Sequence, residues 1–429
     1  MAWPAQKSTW RKRLNARWLR WTVSRWLFQR LPLAKHWSFP LECVAALAAA
    51  SDIIDDTVRF ELAPFEEDDR KLLRLAAIND KVPGPSGLGR SLLFRRQVAI
   101  IPHCAALGHV GAVVTSHGGM LLTRHQGEIP NWNRAKPRRL KKVPFGDGLV
   151  TWLDGTKHYF HFFEALLPLI DYLENEHTPD RPLTVLIPSD GPPYQDEVCA
   201  AVARGYPGVK FVGLRPHERA EIANYLWLSH VSSNAEWLPI EAQKASRLAS
   251  LVRAHHALDE PRRGGLMFFS RGGAKQRKLL NEAELQSIAA AQGFTQFEAD
   301  PGDHREQVRR FGEADVIIAV HGAGLTNLLF ARPGATVVEI FPENCVKSTY
   351  LWLARRLELN YLPLIGRRGN YHQAFTLPRD HFIAALEAAL QFRKRDQAPF
   401  VTKRAVRSSS ADVTMARRSR LIGRASSQR

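Results

Sequence analysis

The sequence predicts an α/β protein of two domains, each built on a parallel sheet with crossover helices. Three observations carry this expectation. The chain has 429 residues, about two domains' worth. Strand-length apolar runs alternate with helix-length segments, most clearly in the second half. Between them DEPRRGG, residues 259–265, has the Pro, Gly and charge of a linker, separating a helical stretch ending near Leu258 from a new strand. An apolar fraction of 45% and a charged fraction of 24% are those of a globular chain, which excludes disorder over the whole length. The expected bounds are a basic Trp-rich segment over 1–40, an N-terminal domain over 41–258, a C-terminal domain over 259–392 and a basic tail over 393–429.

In chain order, the first segment is WRKRLNARWLRWTVSRWLF. Trp10, Leu14, Trp18 and Trp21 recur at helical spacing, while Arg11, Lys12, Arg13, Arg17 and Arg20 fill the rest of the wheel and Arg25 interrupts the apolar face. A basic amphipathic helix is expected. Six of the eleven tryptophans (Trp3, Trp10, Trp18, Trp21, Trp26 and Trp37) fall here, and indole rings beside arginine suit the headgroup layer of an anionic membrane. Docking on the body of the protein and contact with nucleic acid are the other uses of such a segment. The net charge of +18 resides at the two ends: residues 1–37 hold nine Lys/Arg and no acid, and residues 393–429 hold eleven against Asp396 and Asp412. Residues 38–392 are therefore formally neutral, unlike a nucleic-acid-binding domain, and no specific nucleic-acid partner is expected. The Ser/Arg-rich tail has too few large apolar groups to offset its ordering entropy and is expected to be disordered.

Strands are expected at 98–101, 111–115, 183–188, 209–214, 265–270, 315–320 and 335–341, and helices at 281–293, 305–314 and 348–359. There is no internal repeat. No run of 18 apolar residues and no signal-peptide core is readable, so the expected location is the cytoplasmic side of a membrane. Cys43, Cys104, Cys199 and Cys345 form no C-x-x-C pair, which suits a reducing compartment and inert core cysteines.

Three segments carry the chemistry. DVIIAVHGAGLTNLLF places a buried strand, then His321, Gly322, Ala323 and Gly324, then a short apolar helix. Such a turn lets a ligand approach the backbone and aims helix-start N–H groups at an anion, although an H-G-x-G turn also occurs for structure alone. His321 ends a strand, where open α/β sheets bind ligands, and Thr326 and Asn327 have two uses, capping the helix or touching ligand. The turn is neither a G-x-G-x-x-G fingerprint nor a P-loop. FFSRGGAKQRKLLNEAEL, residues 268–285, brings Arg271, Lys275 and Arg277 off another strand end, where forked guanidinium donors can clamp a diphosphate. GTKHYFHFFEALLPLIDYL, residues 155–173, is an aromatic-rich helix start bearing His158, His161 and Glu164. His161 and Glu164 lie three apart and can share a pocket, either as a base with its orienting partner or as a structural hydrogen bond. Pro168 is expected to end or kink this helix.

Taken together, Ser270-Arg271, Ala274, Arg277, Asn281-Glu282, HGAGLTNLLF, the PGATVVEI run and YFHFFEALLP resemble glycosyltransferase family 61, over roughly residues 150–365. The group includes bacterial capsular-polysaccharide proteins, plant xylan arabinosyl- and xylosyltransferases and animal O-linked N-acetylglucosaminyltransferases. The resemblance implies a GT-B-like fold, two Rossmann-like domains facing a cleft. Acceptor binding then falls to the N-terminal domain and the nucleotide-sugar donor to the C-terminal one, with inversion at the anomeric carbon. It places Arg271 and Arg277 on the family's arginines, Asn281 and Glu282 on its Asn-Glu pair, and His321, Gly322, Ala323, Gly324 and Asn327 on its HGAGLTN motif, with Glu339 on the next strand. His161 falls on the family's histidine and Glu164 on an acidic position, implying Glu164 or His161 as general base.

No two aspartates are separated by one residue, so the D-x-D pair of a metal-dependent GT-A enzyme is missing. Arginines and a helix start can offset leaving-group charge instead, and neither metal nor cofactor is expected. The expected activity is metal-independent transfer to a glycan or lipid-linked acceptor in capsular or other surface-polysaccharide assembly, with the enzyme peripheral at the inner face of a bacterial membrane. The alternatives are a non-catalytic sugar-binding or scaffold protein of the same fold and a protein that binds nucleic acid through its tails.

Overall fold

The computed structural model describes residues 41–42, 53–61, 71–72, 91–108, 112–116, 120–121, 140–146, 148–153, 158–232 and 242–397. The Trp-rich basic segment, Cys43 and the C-terminal tail beyond residue 397 lie outside the described residues.

Ten strands form the first sheet: β1 (Leu41–Glu42), β2 (Ile53–Glu61), β3 (Ser91–Leu107), β4 (Ala112–Val114), β5 (Met120–Leu121), β6 (Lys141–Phe145), β7 (Leu149–Trp152), β8 (Leu183–Pro188), β9 (Val209–Leu214) and β10 (Glu218–Ser232). Helix α1 (Tyr159–Asn175) crosses from β7 to β8, α2 (Pro193–Gly205) from β8 to β9, and α3 (Ala242–His255) follows β10. The β7-α1-β8-α2-β9 run is parallel, as expected. The rest of the sheet departs from the expected parallel order. Strand β10 runs antiparallel to β3 from Arg219↔Leu107 to Ser232↔Phe94, and β2 adds to β3 antiparallel as well. The signal is in β10, where buried Ala220 and Ile222 alternate with half-buried Arg219 and Glu221. Period-two alternation is that of an antiparallel strand with one wetter face.

The second sheet contains β11 (Gly265–Ser270), β12 (Thr295–Glu298), β13 (Ala314–Val320), β14 (Thr336–Pro342) and β15 (Asn360–Gly366), all parallel, in the order β12-β11-β13-β14-β15. Its connections are α4 (Glu282–Ala290), α5 (His304–Glu313), a 3-10 helix (Ala323–Phe330) and α6 (Thr349–Arg356), and α7 (Arg379–Gln397) packs back on the sheet. Every residue of β13 and β14 is buried, as central parallel strands covered on both faces must be. The expected apolar helix after the glycine turn is thus a 3-10 helix, and the other expected helices fall within a few residues of the observed ones.

Pro168 neither ends nor shortens α1, which continues to Asn175. An interior proline costs about 3 kcal/mol. Burial of Leu166, Leu167, Leu169, Ile170 and Leu173, each worth roughly 1.5–3 kcal/mol, outweighs that cost. These residues belong to one apolar cluster that continues through Val198 and Val252 to Phe311, Leu328, Phe330 and Leu351, so the two halves share a core. The expected linker falls in the loop from α3 to β11, residues 256–264. Among the described residues no helix is long and apolar enough to cross a membrane.

Candidate active site

In the second sheet the strand order reverses between β11 and β13, which lie side by side while their connections leave in opposite directions. Ligands of open α/β sheets bind at the carboxyl ends of such a pair. Here β11 ends at Ser270 and leads into Arg271, and β13 ends at Val320 and leads into His321, so the two segments singled out in the sequence meet.

They meet through hydrogen bonding and close packing. Arg271 Nη1 donates to the His321 carbonyl at 2.5 Å. Gly322 faces the Arg271 guanidinium so closely that a Cβ there would lie 2.8 Å from Cζ, and a Cβ on Gly324 would lie 2.5 Å from the Phe269 ring. The Phe269 ring leaves no space for a side chain on Gly324, and one on Gly322 would displace the guanidinium. Ala323 and Gly324 are half-buried, leaving the first turn of the 3-10 helix, with its unsatisfied N–H groups, open to a ligand.

Arg277 returns to the same place. It holds a left-handed backbone conformation (φ 55°), its N–H bonds the His372 carbonyl at 3.0 Å, and its Nη1 lies 3.9 Å from Cys345 Sγ. Burial, and then repulsion by Arg277, pull Arg271 down to about 10. Neither arginine makes an ion pair with a described residue, and Glu282 attracts Arg271 only weakly. Lys347 is a further half-buried cation near Cys345 in sequence, its ammonium pulled down by desolvation.

Behind the turn, His321 Nδ1 lies 2.5 Å from Glu339 Oε1, and the Tyr361 hydroxyl donates to Glu339 Oε2. Glu339 is fully buried, and His321 stacks on Phe341. With Nδ1–H given to the carboxylate, the imidazole is fixed in orientation and its Nε2 edge is left for a ligand. Glu339 therefore holds His321 and does not itself reach the opening.

Helix α1 closes the other side. His161 Nδ1 and Glu164 Oε2 are 2.9 Å apart, with Glu164 buried and His161 partly exposed. The Phe160 ring meets Tyr350 edge-on, 6.1 Å between centroids, and Tyr350 lies 5.6 Å from His321, so the His161–Glu164 pair and the glycine turn share one aromatic wall. Burial drives the Tyr350 phenol well up, which keeps it neutral, and its oxygen lies 3.2 Å from Thr326 Oγ1.

Two residues expected to bind the donor make hydrogen bonds within the protein. Asn327 is fully buried and donates to Gln307 Oε1 and the Gly324 carbonyl while accepting from the Tyr159 hydroxyl. Asn281 brackets the Leu377 backbone, donating to its carbonyl at 2.9 Å and accepting from its N–H at 3.1 Å. Both amides brace the site. Glu282, in the first turn of α4, accepts from Gln286. Tyr350 and Tyr361 were not picked out in the sequence, and Tyr159 only as part of the YFHFFEALLP run, because each acts through a partner distant in the chain. Of the expected core cysteines, Cys104, Cys199 and Cys345 are all buried, and Cys345 lies against the Arg277 guanidinium.

The Glycosyltransferase 61 family model matches residues 159–338. The chain is 29% identical over 176 residues to the beta-1,2-xylosyltransferase XAX1 of Oryza sativa subsp. japonica, covering 40% of this chain and 29% of that one. It is 36% identical over 94 residues to the EGF domain-specific O-linked N-acetylglucosamine transferase of Pan troglodytes, 20% of this chain and 17% of the relative. It is 40% identical over 81 residues to the protein O-linked-mannose beta-1,4-N-acetylglucosaminyltransferase 2 of Canis lupus familiaris, 18% of this chain and 13% of the relative. The chain thus spans less than a third of the length of each of these relatives. From the first residue of α1 to the middle of β14, the segment that builds both walls of the site, the chain matches the Glycosyltransferase 61 family model.

Proposed function

We propose that the protein is an inverting glycosyltransferase with a GT-B-like arrangement, moving a sugar from a nucleotide-sugar donor to a glycan or lipid-linked acceptor. The observation that carries this reading is the Arg271–Arg277 pair, two guanidiniums without a carboxylate partner beside a glycine turn at the sheet's switch point. Such a pair lacks an anion, and a diphosphate supplies one.

In this reading the donor diphosphate lies between the arginines and the first turn of the 3-10 helix, and His321, held in orientation by Glu339, turns its Nε2 edge toward the donor. Glu164, oriented by His161, takes the proton of the acceptor hydroxyl. That oxygen bonds the anomeric carbon from the face opposite the leaving group. The bond from the anomeric carbon to the phosphate oxygen breaks, and its electron pair passes to the diphosphate, whose charge the cations stabilise without a metal. A role in capsular or surface-polysaccharide assembly at the inner face of a bacterial cytoplasmic membrane is supported by the basic, Trp-rich sequence of residues 1–37.

The test is thermal unfolding of the full chain with a panel of nucleoside diphosphates and no added Mg²⁺ or Mn²⁺. A ligand that binds only the folded state raises Tm. One nucleotide series is expected to give a shift of several degrees that added Mg²⁺ leaves unchanged. A flat response across the panel would overturn the donor site and favour a scaffold without nucleotide.

A further inference from the structure

We propose that Glu197, His256 and His304 form a divalent-metal site of the zinc class that fastens α2 and α3 to α5, apart from the transfer site. Glu197 lies on α2, His256 directly follows α3 and His304 opens α5, so the three join elements from both halves of the chain. Glu197 Oε2, His256 Nε2 and His304 Nδ1 converge: the two nitrogens are 3.3 Å apart, and each lies 3.7 Å from the oxygen. Ligands at about 2.0–2.1 Å around a tetrahedral ion are separated by about 3.3–3.4 Å. The triangle accommodates an ion with shifts of a few tenths of an ångström.

Proton placement points the same way. The Tyr159 hydroxyl donates to Asn327 Oδ1 at 2.5 Å, so its oxygen accepts from His304 Nε2 at 3.0 Å. The proton of His304 is thereby on Nε2, and the Nδ1 lone pair faces the cluster. An outward hydrogen bond that fixes the tautomer is the usual second partner of a metal-bound histidine.

The carboxylate supplies the independent observation. Glu197 Oε2 is buried and has no hydrogen-bond partner. It faces the His256 and His304 imidazoles. A cation at the centre of the triangle supplies the partner that this buried carboxylate oxygen lacks. The His304 and His256 side chains are 0% and 7% exposed while Glu197 is 35% exposed, so the ion enters, and a water completes its coordination, from the Glu197 side.

From the ion a chain of contacts runs through His304 and Tyr159 to Asn327, and so to the Gly324 carbonyl. The metal would act on the glycine turn by holding this scaffold.

The experiment uses the full chain expressed with zinc and purified without chelator. About one zinc per chain is expected by plasma mass spectrometry, and Co²⁺ in its place should show the visible absorption of a tetrahedral site. Zn²⁺ added to metal-depleted chain should raise Tm by roughly 5 °C. Glu197→Gln preserves shape at a partly exposed position and should lose both the stoichiometric metal and the Tm response. His304→Ala would mix metal loss with a core cavity, so Glu197→Gln decides. Absence of both bound zinc and a Zn²⁺ response in the wild-type chain overturns the proposal, as does an undiminished response in Glu197→Gln. Nucleoside-diphosphate binding is scored separately on the same samples, so the metal site and the transfer reading fail independently.

Discussion

Replacing Arg271 by Met should stabilise the ligand-free chain while destroying its response to nucleotide. In the free state the guanidinium is held against burial and against Arg277, which together pull it down to about 10. Each tenfold bias against the charged form is worth about 1.4 kcal/mol, so this amounts to about 2–3 kcal/mol after allowance for its partial exposure. Methionine of similar length relieves that cost and gives up the bond to the His321 carbonyl, worth about 1–2 kcal/mol. The net expectation is ~0–2 kcal/mol of added stability. On the ligand side, a charge-assisted hydrogen bond of about 1.5–3 kcal/mol is lost for each phosphate oxygen engaged, and donor affinity should fall roughly 10- to 100-fold or more. The assay is urea unfolding of both chains with and without a saturating nucleoside diphosphate. A variant clearly less stable than wild type when free, yet stabilised by nucleotide to the same degree, would refute the argument that the arginine pair waits for an anion.

Glu164→Gln should lower the transfer rate by about 10²–10⁴-fold while leaving the nucleotide-induced Tm shift unchanged, as single-turnover transfer and thermal unfolding would show. Gly322→Ala sets a methyl 2.8 Å from the Arg271 guanidinium and should weaken nucleotide binding by displacing the clamp, with far-ultraviolet circular dichroism unchanged. Asn327→Leu removes an amide that holds the turn to α1 and α5 and leaves Gln307 and Tyr159 short of a partner. It should cost about 2–4 kcal/mol by urea unfolding, the loss a bracing residue would show.

Much of the site was legible because its parts are short-range. The glycine turn, the two arginines after a strand and the i, i+3 His161–Glu164 pair are each contained within a few residues, and chain geometry brings each set together. The antiparallel half of the first sheet was not legible in this way. Strand β10 carries the alternation of a one-sided strand, but its partner β3 lies more than a hundred residues earlier. The partners of the two amides were not legible for a related reason. Asn281 and Asn327 stand in segments where a ligand contact is chemically reasonable, and only the packing shows that the Leu377 backbone and Tyr159 already occupy them.

The sequence by itself determined the α/β class, the parallel run of the second half and the placement of the cationic and glycine-rich strand ends. Hydrophobic period, turn chemistry and the residues at strand termini are local properties of the chain. Tertiary structure alone decided which side chains support them. Glu339 reaches Tyr361 because β14 pairs with β15 in a register that puts Val337 beside Tyr361 and Glu339 beside Pro363, making Glu339 and Tyr361 diagonal neighbours on one face. Glu197, His256 and His304 converge only when three helices pack. A register or a helix contact is selected by the burial of the whole core, so such pairings have no signature in any one stretch of sequence.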